Sequence, residues 1–250
     1  MSIKITSKKN QASGSFAKGA ILENKPIGFP QDGGTQQPYS NLFYWANAWS
    51  DNGGLIGEHP HKMFEIMSFV IEGEIEHYDS KLNGWLTLSK GDAQIIRSGN
   101  GIKHAEKINK GSRMFQIWFD PNIKKTMNQP ATYNDYKSVD MHYYQENNIS
   151  YKNYIGNGGP VTMDSEGIEI NELSLPKRNH HIILDVTKIH SYYVLDGEAS
   201  IKGKGVLEND FIIIEDENEI NILANSNVRL FSISTPKQLS YKTYTQIVNN

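Results

Sequence analysis

Cysteine is absent from this 250-residue chain. Without thiols the protein forms no disulfide, offers no thiolate to zinc and has no cysteine nucleophile. Any metal ion must therefore be held by nitrogen and oxygen atoms. Long apolar runs are missing as well. No stretch approaches the roughly 18 apolar residues of a membrane span, and residues 1–19 contain no apolar segment of signal-peptide length. We therefore expect a cytoplasmic protein without a membrane partner.

A strong excess of one charge is also missing. The chain has 25 Lys and Arg against 28 Asp and Glu, a net charge of -3, and the two signs alternate along the sequence. No basic patch suggests contact with nucleic acid. No interface signature stands out either, so a monomer is the default expectation.

Helical periodicity is scarce, and only residues 121–125 suggest a short helix. Short alternating or β-branched runs dominate instead, separated by Gly, Asn, Asp and Pro. Examples are MSFVIEGEIEHY at 67–78, SYYVLDGEASI at 191–201 and VRLFSIS at 228–234. This pattern predicts an all-β sandwich or barrel. Phosphate-loop, dinucleotide-binding and nucleophile-elbow motifs are not found.

The chain contains an internal similarity in three ordered steps. The paired segments are FVIEGE at 69–74 with YVLDGE at 193–198, LSKGDAQII at 88–96 with VLENDFIII at 206–214, and RMFQIWFDP at 113–121 with VRLFSISTP at 228–236. Ordered matches with similar spacing indicate two copies of one β module. The boundary is predicted in residues 120–140, which carry two prolines and no strand pattern, as in a linker or covering loop. The predicted domains are 1–125 and 126–250.

Two pairs of polar residues have the even spacing that places side chains on one face of a strand. His59 and His61 form the first pair, and Glu65, Met67 and Phe69 share their parity. A face that begins with imidazoles and continues with apolar side chains suits the interior of a small barrel, with polar groups near its mouth.

His104 and Glu106 form the second pair. Together the pairs supply three imidazoles and a carboxylate, a set that suits Fe(II), Mn, Ni, Cu or Zn better than Ca or Mg. Spacing alone leaves two interpretations open, because His-x-His also occurs as surface decoration at a strand edge.

The residues around these pairs resemble known motifs. Gly53-x5-His59-x-His61-x3-Glu65 followed by Gly73 resembles the first cupin motif. The segment 59–106 is more specifically similar to the pirin family, through HPHKMFE at 59–65, IEGEIEHYDS at 71–80, GDAQ at 91–94 and SGNGIKHAE at 98–106. A general cupin places the histidine of its second motif closer to the glycine, whereas four residues separate Gly99 from His104 here, as in pirins.

The resemblance implies a bicupin, with two tandem double-stranded β-helix (jelly-roll) barrels in one chain. It implies the metal ligands His59, His61, His104 and Glu106, holding one divalent transition metal. Fe(II) is expected first, with Mn, Ni, Co, Cu or Zn as alternatives. Glu65 then becomes a pocket residue or a support for the ligands, a role also predicted for Met67, Phe69 and His77.

The second module departs from the ligand pattern. Counting from Gly197 and Asp210 places four residues without the required side chains at the ligand positions: Ile183, Asp185, Ile222 and Ala224. His180 and His181 lie nearby but off this register, and are interpreted as surface or inter-domain residues. The carboxy-terminal barrel is therefore expected to lack metal ligands and to serve a structural or regulatory role.

Pirin-like bicupins are associated with quercetin 2,3-dioxygenase activity, so the resemblance implies a flavonol-like aromatic substrate. In that reaction the flavonol binds the metal through its 3-hydroxyl, a carboxylate takes the proton, dioxygen adds and the central ring opens with loss of carbon monoxide. Glu106 is the predicted base. Some pirins act as iron-dependent partners of other proteins, so a non-enzymatic regulatory or binding protein stays open as the alternative. A metal-binding scaffold with an unrelated small substrate stays open too.

Overall fold

The computed structural model describes residues 2–80 and 83–248. Within them the chain forms 22 strands and two short α-helices, which confirms the predicted all-β bicupin class. None of the described helices has the length and apolar character needed to cross a membrane.

The chain folds into two compact units, and each takes in short segments from distant parts of the sequence. The amino-terminal unit comprises Gln11–Asp140, Met163–Glu166 and Leu239–Asn250, and the carboxy-terminal unit comprises Met1–Asn10, Met141–Thr162 and Gly167–Gln238. The predicted division into 1–125 and 126–250 follows chain order. The observed units depart from this division in two places. Residues 3–6 pair with residues 211–214 of the carboxy-terminal unit, and residues 126–140 belong to the amino-terminal unit.

The amino-terminal unit consists of two antiparallel sheets. Its strands are β2 Ala12–Phe16, β3 Ile21–Ile27, β4 Leu42–Ser50, β5 Gly54–His61, β6 Glu65–Glu72, β7 Glu74–Asp79, β8 Gly84–Ser89, β9 Ala93–Arg97, β10 Ile102–Ile108, β11 Ser112–Phe119 and β12 Thr132–Tyr136. A seven-stranded sheet has the order β12-β9-β6-β11-β4-β3-β2, and a four-stranded sheet has the order β5-β10-β7-β8. The helices are α1 Ile123–Thr126 and α2 Tyr244–Val248.

The carboxy-terminal unit repeats this strand order, except that its edge strand comes from the start of the chain, whereas β12 follows the last strand of the first module. Its strands are β1 Ile3–Thr6, β13 His142–Glu146, β14 Ile149–Ile155, β15 Glu169–Leu175, β16 Asn179–Ile183, β17 Lys188–Asp196, β18 Ala199–Ile201, β19 Lys204–Val206, β20 Phe211–Ile214, β21 Glu219–Ala224 and β22 Val228–Pro236. The seven-stranded order is β1-β20-β17-β22-β15-β14-β13 and the four-stranded order is β16-β21-β18-β19. The internal similarity in the sequence therefore reflects two copies of one β module.

The glycine shared by the repeated FVIEGE and YVLDGE segments has a steric role. Gly73 has a φ of 70° and Gly197 a φ of 83°, a region that side-chain-bearing residues rarely adopt. A Cβ at Gly73 would lie 2.2 Å from Ser112 Oγ, and one at Gly197 would lie 2.3 Å from the Asn227 carbonyl oxygen. Both glycines let a strand of the large sheet turn into the next strand of the small sheet.

Residues 120–140 differ from the predicted linker. Thr132–Tyr136 form β12, which pairs with β9 at the edge of the large sheet. The prediction of no strand here was wrong because the segment lacks an apolar face: its side chains are half-buried or exposed, and pairing to β9 supplies its order. The helix suggested at residues 121–125 is found as α1.

Apolar side chains from both sheets of the amino-terminal unit meet in a shared core. One cluster consists of Ile21, Ala48, Val70, Ile75, Leu88, Ile108 and Met114. Full burial of such side chains stabilises a fold by about 1.5–3 kcal/mol each. This packing holds the small sheet, which carries the candidate site, at a fixed distance from the large one.

A buried carboxyl in the amino-terminal unit should make its stability depend on pH. Asp120 is 1% exposed and accepts a hydrogen bond from the backbone N–H of Tyr244 at the start of α2. Burial raises the pKa of Asp120 to about 7, against the smaller lowering effect of that hydrogen bond. The folded state therefore binds the Asp120 proton more tightly than the unfolded state does. The contribution of Asp120 to the free energy of unfolding is fully present below about pH 4 and is lost as the pH rises through about 7.

We therefore expect Asp120→Asn to flatten the stability profile. The fall in unfolding free energy between pH 5 and pH 8 should be smaller than in the wild type, by on the order of 2 kcal/mol. Tryptophan fluorescence in urea reports this unit, because all four tryptophans of the chain lie within residues 11–140. The exposed Asp51→Asn is the control. Parallel wild-type and Asp120→Asn profiles would contradict the assignment.

Candidate metal centre

The small sheet of the amino-terminal unit brings His59, His61 and His104 into one group and Glu106 into a second group that shares His104. In its register, His104 on β10 lies opposite His59 on β5 and opposite Asp79 on β7. Glu106 lies opposite His77. Side chains of directly opposed residues project from the same face of a sheet. A register shift between His104 and Glu106 on the β5 side marks a bulge, a device that re-aims side chains near functional sites.

The three imidazoles of His59, His61 and His104 form a compact triangle. Their ring centroids lie 4.5 to 4.7 Å apart, and the Nε2 atoms of His59 and His104 are 3.0 Å apart. Two neighbouring ligand atoms on an octahedral ion with bonds of about 2.1 Å are separated by about 3 Å. The same spacing also fits an imidazole–imidazole hydrogen bond. This triangle could hold a metal ion.

One hydrogen bond of His59 determines which of its ring nitrogens is free to bind an ion. His59 Nδ1 lies 2.9 Å from the carbonyl oxygen of Gly57. A carbonyl only accepts, so Nδ1 carries the proton and Nε2 presents its lone pair to the cluster. Donation from the far ring nitrogen to a carbonyl is typical of metal-binding histidines.

Burial keeps the other two imidazoles neutral. Desolvation, followed by the neighbouring histidines, lowers the pKa of His61 to about 3 and of His104 to about 2. His61 Nε2 and His104 Nδ1 are buried and have no hydrogen-bond partner among the described residues. Neutral imidazoles with unpartnered ring nitrogens are suitable ligands for a transition metal. The residues present therefore fit the ion that the resemblance implies.

Glu106 is held by two hydrogen bonds. Ser68 Oγ donates to its Oε1 at 3.1 Å, and Gln116 Nε2 donates to its Oε2. Trp118 Nε1 donates to Gln116 Oε1 at 3.2 Å, which fixes the orientation of the amide. Sequence reasoning missed Ser68 and Gln116, because neither belongs to the motif that carries the resemblance.

His77 lies in the cluster itself. It is 1% exposed, and both ring nitrogens lack a hydrogen-bond partner among the described residues. Its Nε2 is 3.7 Å from Asp79 Oδ2, and burial lowers its pKa despite the opposing charges of Glu106 and Asp79. His77, His104 and Glu106 form a second group that could hold a metal, sharing two residues with the predicted set.

A cavity of about 350 Å³ opens beside the cluster. His59, His61 and Glu106 lie on its wall, and residues from both sheets complete the lining. Most of these are apolar or aromatic: Phe16, Phe29, Tyr44, Ala48, Ile56, Ile108, Met114 and Trp118. The Trp118 ring meets His61 edge to face, with centroids 4.8 Å apart. Few polar groups on an apolar wall are characteristic of a small-molecule site.

Glu65 lies outside this cavity. Its carboxylate accepts hydrogen bonds from the backbone N–H groups of Asp164 and Ser165, both at 2.7 Å, and from Ser165 Oγ at 2.6 Å. It lines a separate cavity of about 280 Å³. The predicted role beside the ligands is therefore wrong for Glu65, which instead anchors the segment 163–166.

Met67 and Phe69 also lie away from the cluster. Ser68 reaches Glu106, so its neighbours in β6 project from the opposite face of the sheet, where both are fully buried in the core. The predicted pocket role of Met67 and Phe69 is wrong because the alternation of side chains was counted from β5 into β6 as if the two formed one continuous strand. The connection at residues 62–64 interrupts the strand, with Met63 at a φ of 73°, and leads into the other sheet.

The carboxy-terminal unit places a different histidine at the equivalent register. His180 on β16 lies opposite Ile222 on β21, as His59 lies opposite His104. Counting from Gly197 missed it by three residues, because β17 and the connection before it are each one residue longer than in the first module and His180 lies one residue farther from the end of its strand than His59 does. His180 Nε2 lies 2.7 Å from the Pro176 carbonyl oxygen, and the neighbouring Ile222 offers no ligand atom. His181 is exposed and faces Glu219.

The chain is similar in sequence to known proteins. The pirin family model matches residues 37–119. PA2418 of Pseudomonas aeruginosa, provisionally named a quercetin 2,3-dioxygenase, is 27% identical over 195 residues, which cover 72% of this chain and 67% of that protein. Quercetin 2,3-dioxygenase of Escherichia coli K12 is 42% identical over 69 residues, only 26% of this chain and 29% of that enzyme.

The solved structure of the Escherichia coli pirin YhhW in complex with nickel(II) has the same fold. It superposes with a TM-score of 0.75 at 20% identity, covering 94% of this chain and 100% of that chain. At that identity the likeness shows the fold alone. Residues 37–119 match the pirin family model, and this match together with the curated relatives supports assignment of the chain to the pirin family.

Proposed function

We propose that this chain is a metal-dependent dioxygenase that opens the central ring of flavonols such as quercetin. The proposal is supported by a triangle of three imidazoles, one of which, His104, is also grouped with Glu106, beside a mainly aromatic and apolar cavity that His59, His61 and Glu106 line. Its volume of about 350 Å³ falls within the range of small-molecule sites, roughly 300–1,000 Å³. The names of curated relatives add support for the substrate class.

His59, His61, His104 and Glu106 would hold one divalent transition metal, with Fe(II) expected first. The nitrogen and oxygen donor set also suits Mn, Ni, Co, Cu or Zn, and a related pirin binds nickel(II). When bound, the ion supplies Lewis acidity and a template for the substrate. The protein's own contribution is to orient the donors and to exclude water with the aromatic wall.

Glu106 is the proposed proton acceptor. The hydrogen bonds from Ser68 and Gln116 fix the position of its carboxyl group. A carboxylate has lone pairs beyond the two that accept from Ser68 and Gln116, so it can take the proton of a substrate hydroxyl while these bonds hold it in place.

Turnover tests the proposal directly. Metal-free protein is loaded separately with Fe, Mn, Ni, Co or Cu, its metal content is measured, and it is incubated aerobically with quercetin. We expect oxygen uptake matched by carbon monoxide release with at least one metal, and none with Glu106→Gln. If a fully loaded protein consumes no oxygen with any of the five metals, the dioxygenase function is wrong, and the regulatory or binding role takes its place.

A further inference from the structure

A buried charged residue faces the cavity from the sheet opposite the imidazoles. Glu23 lies on β3, is 6% exposed and lines the same cavity as His59, His61 and Glu106. The charge of Glu106 is close enough to contribute, as a minor cause, to raising the pKa of Glu23. The pirin resemblance and the motifs that carry it do not include this position. The cavity therefore has an acidic group on each of its two sheets.

Glu23 lies in a group of two carboxyl side chains and one ammonium group, formed with Asp32 and Lys25. Lys25 Nζ lies 3.1 Å from Asp32 Oδ2 and 3.4 Å from Glu23 Oε2. Asp32 Oδ2 is also fixed by the backbone N–H of Phe29 at 2.9 Å. Lys25 therefore has its closer partner in Asp32, and Glu23 keeps a capacity to accept hydrogen bonds.

The space around Glu23 is created by the absence of a side chain on the neighbouring strand. Gly14 lies opposite Glu23 in the register of β2 and β3. A Cβ at Gly14 would lie 2.8 Å from Glu23 Oε2 and 3.1 Å from Lys25 Nζ. Glycine here leaves room for the carboxylate and the ammonium group to lie side by side.

The Glu23 carboxylate is not fully satisfied. Its Oε2 is buried and makes no hydrogen bond of acceptable geometry with the described residues. Burial raises the pKa of Glu23, against the lowering effect of Lys25. A buried acceptor without a donor costs free energy, and a buried ion pair is a poor source of stability compared with apolar packing. Because Oε2 itself is buried, a ligand in the cavity would donate to the part of the carboxylate that lines the cavity and so offset the cost of its burial.

We propose that Glu23 determines specificity: its carboxylate accepts a hydrogen bond from a hydroxyl group of a planar polyhydroxylated aromatic substrate in this cavity. The inference rests on the proposed function, because it assumes that the same substrate reaches the imidazole cluster. One hydroxyl would serve the metal and a second would serve Glu23. Aromatic carboxylic acids are disfavoured, since they would bring a negative charge between Glu23 and Glu106.

Binding of two flavonols tests the inference without requiring turnover. Quercetin carries several hydroxyl groups, whereas 3-hydroxyflavone keeps only the 3-hydroxyl expected at the metal. Dissociation constants are measured under anaerobic conditions by quenching of tryptophan fluorescence, for which Trp118 in the cavity wall is the reporter. In the wild type we expect quercetin to bind at least about tenfold more tightly, because a site with a buried acceptor rejects a ligand lacking the donor.

Variants of Glu23 should remove this preference selectively. Glu23→Met is expected to weaken quercetin binding about tenfold or more while 3-hydroxyflavone binding stays within about twofold, and Glu23→Gln should give an intermediate loss. Gly14→Ala moves the carboxylate without altering its charge and should reduce the preference in the same direction. The exposed Glu72→Ala is the control and should keep the wild-type preference. Metal content is measured for every variant.

The outcomes separate the inference from the proposed function. If Glu23→Met weakens both ligands equally, or weakens neither, the role of Glu23 in specificity is wrong even when the enzyme turns over quercetin. If the preference depends on Glu23 but no metal supports turnover, only the dioxygenase function fails. A wild type that binds neither flavonol contradicts both.

Discussion

Replacing His104 by alanine should lower the affinity for a divalent transition metal by at least about 100-fold. His104 is fully buried, lies between His59 and Asp79 in the sheet register, and takes part in both groups that could hold an ion. Loss of a partner that merely orients a ligand commonly costs 10–100-fold in metal affinity, so loss of a shared ligand should cost more. Among the residues of the cluster, this substitution has the largest expected effect on binding.

Competition titration with a chromophoric chelator, using Ni(II) or Zn(II), measures the change. His181→Ala is the matched control, because His181 is exposed, contacts Glu219 and lies on the small sheet of the other unit. Tryptophan fluorescence of the metal-free proteins shows whether the amino-terminal unit is still folded. Equal losses in the two variants would contradict the assignment of His104 as a ligand.

Replacing Glu65 by alanine should destabilise the amino-terminal unit by about 3 kcal/mol or more without changing its metal affinity. The carboxylate is 1% exposed and accepts three hydrogen bonds from Asp164 and Ser165, while Arg97 Nε lies 3.7 Å away. Hydrogen bonds to a charged group contribute roughly 1.5–3 kcal/mol each, and their effects are not additive. Removal also leaves the backbone N–H groups of Asp164 and Ser165 without this acceptor.

Urea unfolding followed by tryptophan fluorescence measures this effect on the amino-terminal unit. Ser165→Ala should cost less than Glu65→Ala, because the two backbone donors keep their acceptor. Glu72→Ala is the control on the same strand, since Glu72 is exposed and pairs with Lys90 at the surface. If the Glu65→Ala protein is stable but binds metal more weakly, the structural role given to Glu65 is wrong and the residue supports the metal ligands instead.

The even spacing of residues correctly predicted which side chains share a face within one strand. It gave the wrong face where the count crossed the connection between two strands. His104 and Glu106 share a face of β10, as their even spacing predicts, and His59 and His61 share a face of β5. Glu65 has the same parity as His59 but lies on β6, in the other sheet. Parity has meaning only while the backbone remains extended, so the irregular turn at Met63 removed the basis of that prediction.

Local signals were sufficient for the all-β class, the repeated module and the two histidine-containing pairs. These features depend on alternation, on glycines at turns and on short motifs, all of which are read from neighbouring residues. Tertiary structure alone decided which side chains meet. Ser68 and Gln116 contact Glu106, Glu23 faces it from another sheet, and the first residues of the chain complete the last barrel. These pairings depend on strand order and sheet packing, which join residues far apart in sequence and leave no local pattern.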